Sequence, residues 1–404
     1  MSFVLFDESM KALEESLETP KLKEKVFLSD ALDRVVANDI VAKFNSPEFE
    51  TSAMDGYAIK FEDMSMGRIK IVGDNPAGSE APKEMMGGTC IKTFTGSLMP
   101  KGSDTLIPIE NVEIEDDFII IKEEVKKGAN VREVGENFKK GEVLVKKGST
   151  LSFAEIGVMA SLNISKVEVF VKPVVGVLST GSEILDVGET QTSEGQIRSS
   201  NQFVLESLVK KEGADAIRHS LMKDDKDAIK DALENLLSKS DIVVTTGGVS
   251  VGDYDFVKSI LAEYEPEYIT KGVLIKPGQH IKIVKLGKKF IVALPGFPYS
   301  STVTFILYVV PIIRSLMGKN PELKYKKAII EHDFKKKTNN KTEFHAGSLT
   351  LKDGKYFVDF SDKKSGTSAI MTNMLGSVAL VKIDRDADDL AKGQEVDILD
   401  MGDF

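Results

Sequence analysis

The segment Asp241-Ile-Val-Val-Thr-Thr-Gly-Gly-Val-Ser-Val-Gly-Asp-Tyr-Asp255 puts two adjacent glycines, a hydroxyl and two carboxylates within a few residues. Gly247 and Gly248 permit backbone conformations that a side chain forbids. Successive N–H groups can then face an anion, and a following helix adds its positive end. Ser250 supplies a hydroxyl, and Asp253 and Asp255 supply acids. A turn shaped for an anion that also carries carboxylates suggests a metal ion between protein and ligand. The competing reading is an ordinary strand-to-helix turn whose glycines hold no ligand.

Leu178-Ser179-Thr180-Gly181-Ser182-Glu183 repeats the layout of apolar strand, hydroxyls, glycine and acid. Two such turns in one sheet can share a pocket, or can be two unremarkable strand ends. Leu294-Pro295-Gly296-Phe297-Pro298 ends a third apolar run, and Pro298 suits a first helical turn. Lys276-Pro277-Gly278 is a turn whose lysine either faces an anion or is simply solvated. Ser52-Ala53-Met54-Asp55-Gly56-Tyr57-Ala58 carries the Asp-Gly signal of a hairpin turn. Thr93–Gly96, Met99–Asp104 and Asn130–Asn137 are loops, and Lys223-Asp224-Asp225 is the acidic start of a helix.

These turns need elements to hold them. Ile242-Val243-Val244 is a continuous apolar run, as strands buried on both faces are. From about residue 171, strand and helix patterns alternate. Strands are expected at 174–178, 216–221 and 241–245, and helices at 202–211, 225–237, 256–263 and 300–316. Gly287 between 282–284 and 290–294 marks a hairpin. Such alternation implies an α/β domain, a central mixed or parallel sheet flanked by helices. Ligands in that class bind beyond the carboxyl ends of the strands. Residues 46–135 alternate short β runs with Gly and Pro turns and predict a β-rich domain. Residues 320–404 return to β texture (328–330, 348–351, 356–360, 378–383, 395–399) and predict a small β-barrel. Residues 1–45 with 136–170 form a mixed connecting domain, with helices at 4–17 and 153–162 and a capped start of a short helix at Ser29–Leu32.

The chain has 404 residues, enough for about two to four domains. Its net charge of −10 argues against a broad nucleic-acid surface, which needs a basic footprint. The single cysteine, Cys90, allows no internal disulfide, and its neighbours offer nothing to activate a thiol. The histidines at 219, 280, 332 and 345 lack zinc-like spacing and are expected on the surface or in packing. The start lacks the basic flank of a signal peptide, and the apolar run 302–313 is too short to span a bilayer. A cytoplasmic protein without membrane contact is expected.

Taken in order, SAMDGYA (52–58), TG-x-x-x-P-x-G-x-D (95–104), STG-x-E (179–183), KDD (223–225), TTGGVSVGDYD (245–255), KPG (276–278) and LPG-x-P (294–298) resemble the molybdopterin molybdenumtransferase family, which includes MoeA and the gephyrin E domain. The resemblance implies a four-part, elongated subunit that dimerises, with the β-rich part lying over the partner's α/β domain. It implies insertion of molybdate into adenylylated molybdopterin with release of AMP, assisted by Mg²⁺. An upstream adenylyltransferase would be a partner. By position, Asp55, Glu183, Asp224 and Asp255 would be the catalytic carboxylates, with Asp55, Glu183 and Asp255 as metal ligands. Thr95, Thr180, Gly181, Gly247, Gly248, Ser250, Lys276, Pro295 and Gly296 would bind substrate.

The chain departs from the family pattern at Asn137 (usually aspartate), Phe297 (LPGNP), Gln279-His280 (PGKP) and Ser182 (STGDE). An amide at 137 keeps hydrogen bonding but loses charge. These departures motivate two alternatives, a scaffold that holds the pterin without turnover and a tungstate-preferring paralogue. A third, adenylylation of molybdopterin by ATP, would not need the additional domains.

Overall fold

A computed structural model of the chain describes residues 3–20, 22–78, 83–247, 256–337, 340–364 and 368–404. Two compact units are present. One comprises Phe27–Leu32 with Asn38–Val167, and the other comprises Met1–Val26, Asp33–Ala37 and Glu168–Phe404. Helix α1 (Phe6–Ser16) belongs to the larger unit and α2 (Phe153–Ser161) to the smaller.

The smaller unit is built on a six-stranded sheet. Its strands are β1 (Gly56–Ile59), β2 (Arg68–Asn75), β3 (Thr89–Thr93), β4 (Thr105–Pro108), β5 (Val112–Glu115) and β6 (Phe118–Ile121), in the order β4-β1-β3-β2-β6-β5. Tyr57, Ile59, Ile69, Cys90, Ile107 and Ile119 form its core. Burial pushes the Cys90 thiol up to about 12, so the cysteine is a packing residue, as expected.

Asp55-Gly56 does not turn a hairpin, because Thr51–Ser52 pairs with Val131–Arg132 while β1 pairs with β3 and β4. Gly56 is small for another reason: a Cβ there would lie 2.2 Å from the Ile107 carbonyl oxygen on β4. The short helix expected to start at Ser29–Leu32 is a three-residue 3₁₀ turn, Leu28–Asp30.

The larger unit contains the expected α/β sheet. Its strands are β7 (Val174–Ser179), β8 (Asp215–Arg218), β9 (Ile242–Thr246), β10 (Glu267–Thr270), β11 (Lys282–Leu286) and β12 (Lys289–Leu294). The order is β8-β7-β9-β12-β11-β10. The first four are parallel, and β12, β11 and β10 are antiparallel neighbours. The chain passes from β7 through α3 (Asn201–Lys211) to β8, then through α4 (Lys226–Lys239) to β9 on the other side of β7. That reversal makes the β7/β9 boundary the topological switch point, where open sheets leave a crevice.

Alternate residues explain the helical layers. Ile242 and Val244 join α1, α3 and the helix Pro298–Leu316 in one core, while Val243 joins α4 and α5 (Phe256–Glu263) in the other. Burial on both faces is why β9 is apolar at successive positions. Helix α6 (Pro298–Leu316) contains a π-helical stretch, Phe305–Val309. Its 19 residues are long and apolar enough to cross a membrane by length and composition, more than the 302–313 run suggested, yet 89% of it is buried inside the fold.

The final strands are β13 (Lys326–Ile330), β14 (Thr342–Lys352), β15 (Lys355–Asp359), β16 (Val378–Ile383) and β17 (Glu395–Asp400). They close the expected barrel in the order β14-β15-β13-β17-β16, with β16 returning to β14. β14 starts well before the expected Ser348, since its first half pairs with β16 and its second with β15. Beside the barrel, the buried Lys336 ammonium donates to the backbone carbonyls of Asp384 (2.7 Å), Ala387 (3.0 Å) and Arg385.

Candidate functional site

Strands β7, β9 and β12 end on one rung, with Ser179 opposite Thr246 and Thr246 opposite Leu294. The turns that follow therefore meet. Thr180 N–H donates to the Thr246 carbonyl at 3.0 Å, and the Thr246 hydroxyl donates to Ser179 Oγ at 3.0 Å. Gly247 has φ +91°, and a Cβ there would lie 2.5 Å from the Thr180 carbonyl oxygen. A Cβ at Gly296 would touch Gly247 Cα at 3.8 Å. The first two turns are thus packed backbone to backbone, which glycine alone allows at 247.

Together they floor a cleft of about 640 Å³. Thr180, Glu183, Gly247, Pro295 and Gly296 line it, so five of the site residues expected from the sequence are brought together. Gly181, at φ +150°, donates its N–H to the Met222 carbonyl at 3.1 Å and turns the chain toward Glu183. Gly248, Ser250, Asp253 and Asp255 lie outside the described residues.

Asp224 is placed differently. Its Oδ2 accepts from Ser182 N–H at 2.9 Å, and its own N–H donates to Ser182 Oγ at 3.1 Å. This reciprocal pair anchors the turn that carries Glu183, while Asp224 itself is not among the residues lining the cleft. Asp225 caps α4 as expected, accepting from Ala228 N–H at 2.8 Å.

Lys276 lines a second cleft, of about 340 Å³, beside the barrel. It precedes a cis peptide bond to Pro277 and lies 3.9 Å from the fully buried Glu343. Burial lowers the Lys276 ammonium below the usual lysine value, and the Glu343 carboxylate opposes that shift. Glu343 also lies 2.6 Å from His345 Nε2. Of the barrel-side loop 364–368, residues 365–367 lie outside the described residues.

In the smaller unit, the Thr95 N–H (2.8 Å) and hydroxyl (2.7 Å) both donate to Asp55 Oδ1. These bonds hold the Asp55 carboxyl below the usual aspartate value. Asn137 Nδ2 donates weakly to Ser46 Oγ at 3.4 Å.

Among the residues of the cleft not singled out as site residues from the sequence are His280, Arg198 and Asn201. His280 lines it and packs edge-on against Phe3, with the ring centroids 5.6 Å apart. Arg198 and Asn201 also line it. Asn201 Nδ2 donates to the Gly296 carbonyl at 2.7 Å. The run Ser199-Ser200-Asn201 before an apolar-periodic segment is a helix-start signal that marks this position.

Among the described residues no group of three His, Cys, Asp or Glu side chains forms a metal-holding cluster. Mg²⁺ does not require one, since it commonly takes one or two carboxylates together with waters and substrate phosphates. Glu183, an exposed carboxylate in the cleft, suits that kind of binding.

The sheet, its switch-point cleft and the glycine turns define a doubly wound α/β domain carrying accessory β domains. Residues 4–163 match the MoeA N-terminal region (domains I and II), 176–315 the probable molybdopterin binding domain, and 327–401 the MoeA C-terminal region (domain IV). A molybdopterin molybdenumtransferase of Haemophilus influenzae is 35% identical over 78% of this chain and 78% of its own length. One from a Nostoc species is 30% identical over 95% of this chain and 90% of its own. The crystal structure of the MoeA protein of Pyrococcus horikoshii OT3 superposes with a TM-score of 0.83 at 32% identity, covering 98% of this chain and 99% of that one. The chain belongs to the molybdopterin molybdenumtransferase family, transferases of molybdenum cofactor biosynthesis.

Proposed function

We propose that this chain inserts molybdate into adenylylated molybdopterin and releases AMP, with Mg²⁺ assisting, as a cytoplasmic homodimer. The observation that carries the reading is the meeting of the β7, β9 and β12 turns at one cleft, lined by Glu183, Gly247 and Gly296 together. The substrate's diphosphate needs donors, and backbone amides at glycine turns provide them. Water attacking the anhydride yields AMP and the phosphorylated pterin, whose dithiolene sulfurs then take the metal as oxygen leaves molybdate as water.

Glu183, with Asp255, would hold the Mg²⁺. When bound, the ion neutralises phosphate charge as the anhydride breaks. Thr180, Gly181, Gly247, Gly248, Ser250, Pro295 and Gly296 bind and orient the phosphorylated ligand. Asp224 holds the Glu183 turn through Ser182. Lys276, in the second cleft, offers a cation to an oxyanion. Asp55, oriented by Thr95, acts on the partner subunit's cleft. An upstream adenylyltransferase delivers the substrate.

The test is AMP release from adenylylated molybdopterin with Mg²⁺ and molybdate, compared with tungstate. Absence of AMP with either oxyanion sinks the reading. The exposed Phe297 at the cleft favours a second reading, a scaffold that holds the pterin without turnover. Tight ligand binding with no metal insertion would select it.

A further inference from the structure

One part of the cleft is not explained by the glycine turns. The segment 197–201 contributes Arg198, Ser199 and Ser200 to the lining, at the start of α3. Arg198 Nη1 donates to the Asp186 carbonyl at 2.9 Å, which fixes the guanidinium. That is its one hydrogen bond among the described residues, and it forms no ion pair there. Arg34, Arg132, Arg218, Arg314 and Arg385, by contrast, each sit against a carboxylate, and Arg68 stacks on the Phe118 ring at 4.0 Å.

Ser199 is 7% exposed. Its N–H is taken by the Leu185 carbonyl at 2.8 Å, while its hydroxyl has no partner among the described residues. Helix α3 has 11 residues, and the N-cap Ser200 makes no side-chain cap bond to its first turn. The segment is held rigidly from behind. Gln202 Nε2 donates to Asp186 Oδ1 at 2.7 Å, and Asn201 is tied to Gly296.

A guanidinium with no carboxylate partner, an unpartnered hydroxyl on a largely buried residue and helix amides without a side-chain cap gather at one cleft wall, with donor capacity left over. We infer that Arg198, Ser199 and the first turn of α3 form a phosphoryl-binding subsite, separate from the Gly247 turn, that takes one end of the substrate's diphosphate. The inference rests on the proposed function. Two anion sites on one cleft suit a diphosphate because each phosphoryl group meets its own donors. Arg198 acts in binding and orientation, and charge-assisted bonds of this kind are the strong ones.

Calorimetric titration of the full-length protein with inorganic pyrophosphate, and separately with molybdate, tests this. Arg198→Ala weakens pyrophosphate binding about tenfold, and Ser199→Ala weakens it about threefold. Arg198→Lys restores part of the loss, and molybdate affinity stays unchanged. In turnover, Arg198→Ala raises the KM for adenylylated molybdopterin at constant kcat. Arg198 is exposed, so its removal leaves the fold intact, and an unchanged thermal midpoint checks this. Equal pyrophosphate affinity in wild type and Arg198→Ala overturns the subsite, as does a wild type that binds no pyrophosphate. Loss of molybdate affinity instead would make it an oxyanion site and overturn the phosphoryl assignment. Failure of the proposed function is read separately, as absence of AMP release by the wild type.

Discussion

Asn201 binds the start of α3 to the turn after β12. Its Nδ2 donates to the Gly296 carbonyl at 2.7 Å, and its Oδ1 accepts from Ser301 Oγ at 3.3 Å. One amide therefore spaces a helix start, a strand end and the first turn of α6. Asn201→Ala should cost about 1 kcal/mol of stability, the net worth of a hydrogen bond. Asn201→Asp should not recover it, because a carboxylate cannot donate to Gly296. Urea denaturation measures both, and equal stability of wild type and Asn201→Ala would contradict the spacing role.

Gly247 and Gly157 make a contrasting pair. Alanine at 247 meets the Thr180 carbonyl at 2.5 Å in a backbone at φ +91°. A loss of about 2 kcal/mol or more follows, from strain and clash together. Gly157 sits inside α2 with nothing within 4 Å of its absent Cβ. Gly157→Ala should gain about 0.5–1 kcal/mol. Denaturation midpoints of the two variants should move in opposite directions.

The Asp55 carboxyl titrates below the usual aspartate value because Thr95 donates to it twice. The lowered folded value means that its contribution to stability is fully present above the unfolded-chain value. That contribution fades as pH falls through the folded one, in the acid range below about pH 4. Thr95→Val removes the hydroxyl bond and leaves the amide bond. The carboxyl carbon of Asp55 should then titrate at higher pH by NMR, though still below an unstructured aspartate. No change in its titration would mean that the hydroxyl bond is not formed in solution.

If Asp55 serves the partner subunit's cleft, Asp55→Asn and Asp255→Asn fail for different reasons. Each variant alone should release no AMP. Mixed and exchanged, they should regain about a quarter of the wild-type rate, since half the dimers are mixed and each holds one intact site. Native mass spectrometry would verify exchange, and mixed dimers without activity would remove the shared-site arrangement.

The sequence disclosed the α/β sheet because β7, β9 and β12 are apolar on both faces and run within two residues into Gly or Pro, whereas the edge strand β8 is short and charged at both ends. Amphipathic spacing marked α4, and Gly287 marked the β11–β12 hairpin correctly. It did not disclose which turns share a wall. Lys276 looks like a neighbour of the glycine turns in the sequence, yet it lines the barrel-side cleft. Arg198 and His280 do not read as site residues because their neighbours mark only a helix start and a turn, and the folded path alone brings them to the cleft. Asp-Gly at 55–56 misled because glycine there answers a close approach by β4, a tertiary demand that local turn statistics do not contain.

The ammonium of Lys336 occupies the position that a dissolved cation takes in many acidic loops, surrounded by carbonyls of Asp384, Arg385 and Ala387. Asp384, Asp386, Asp388 and Asp389 thus crowd a segment whose carbonyls are satisfied by an ammonium that the chain itself supplies. The segment's shape is therefore set in part by a donor that no change of medium can wash out.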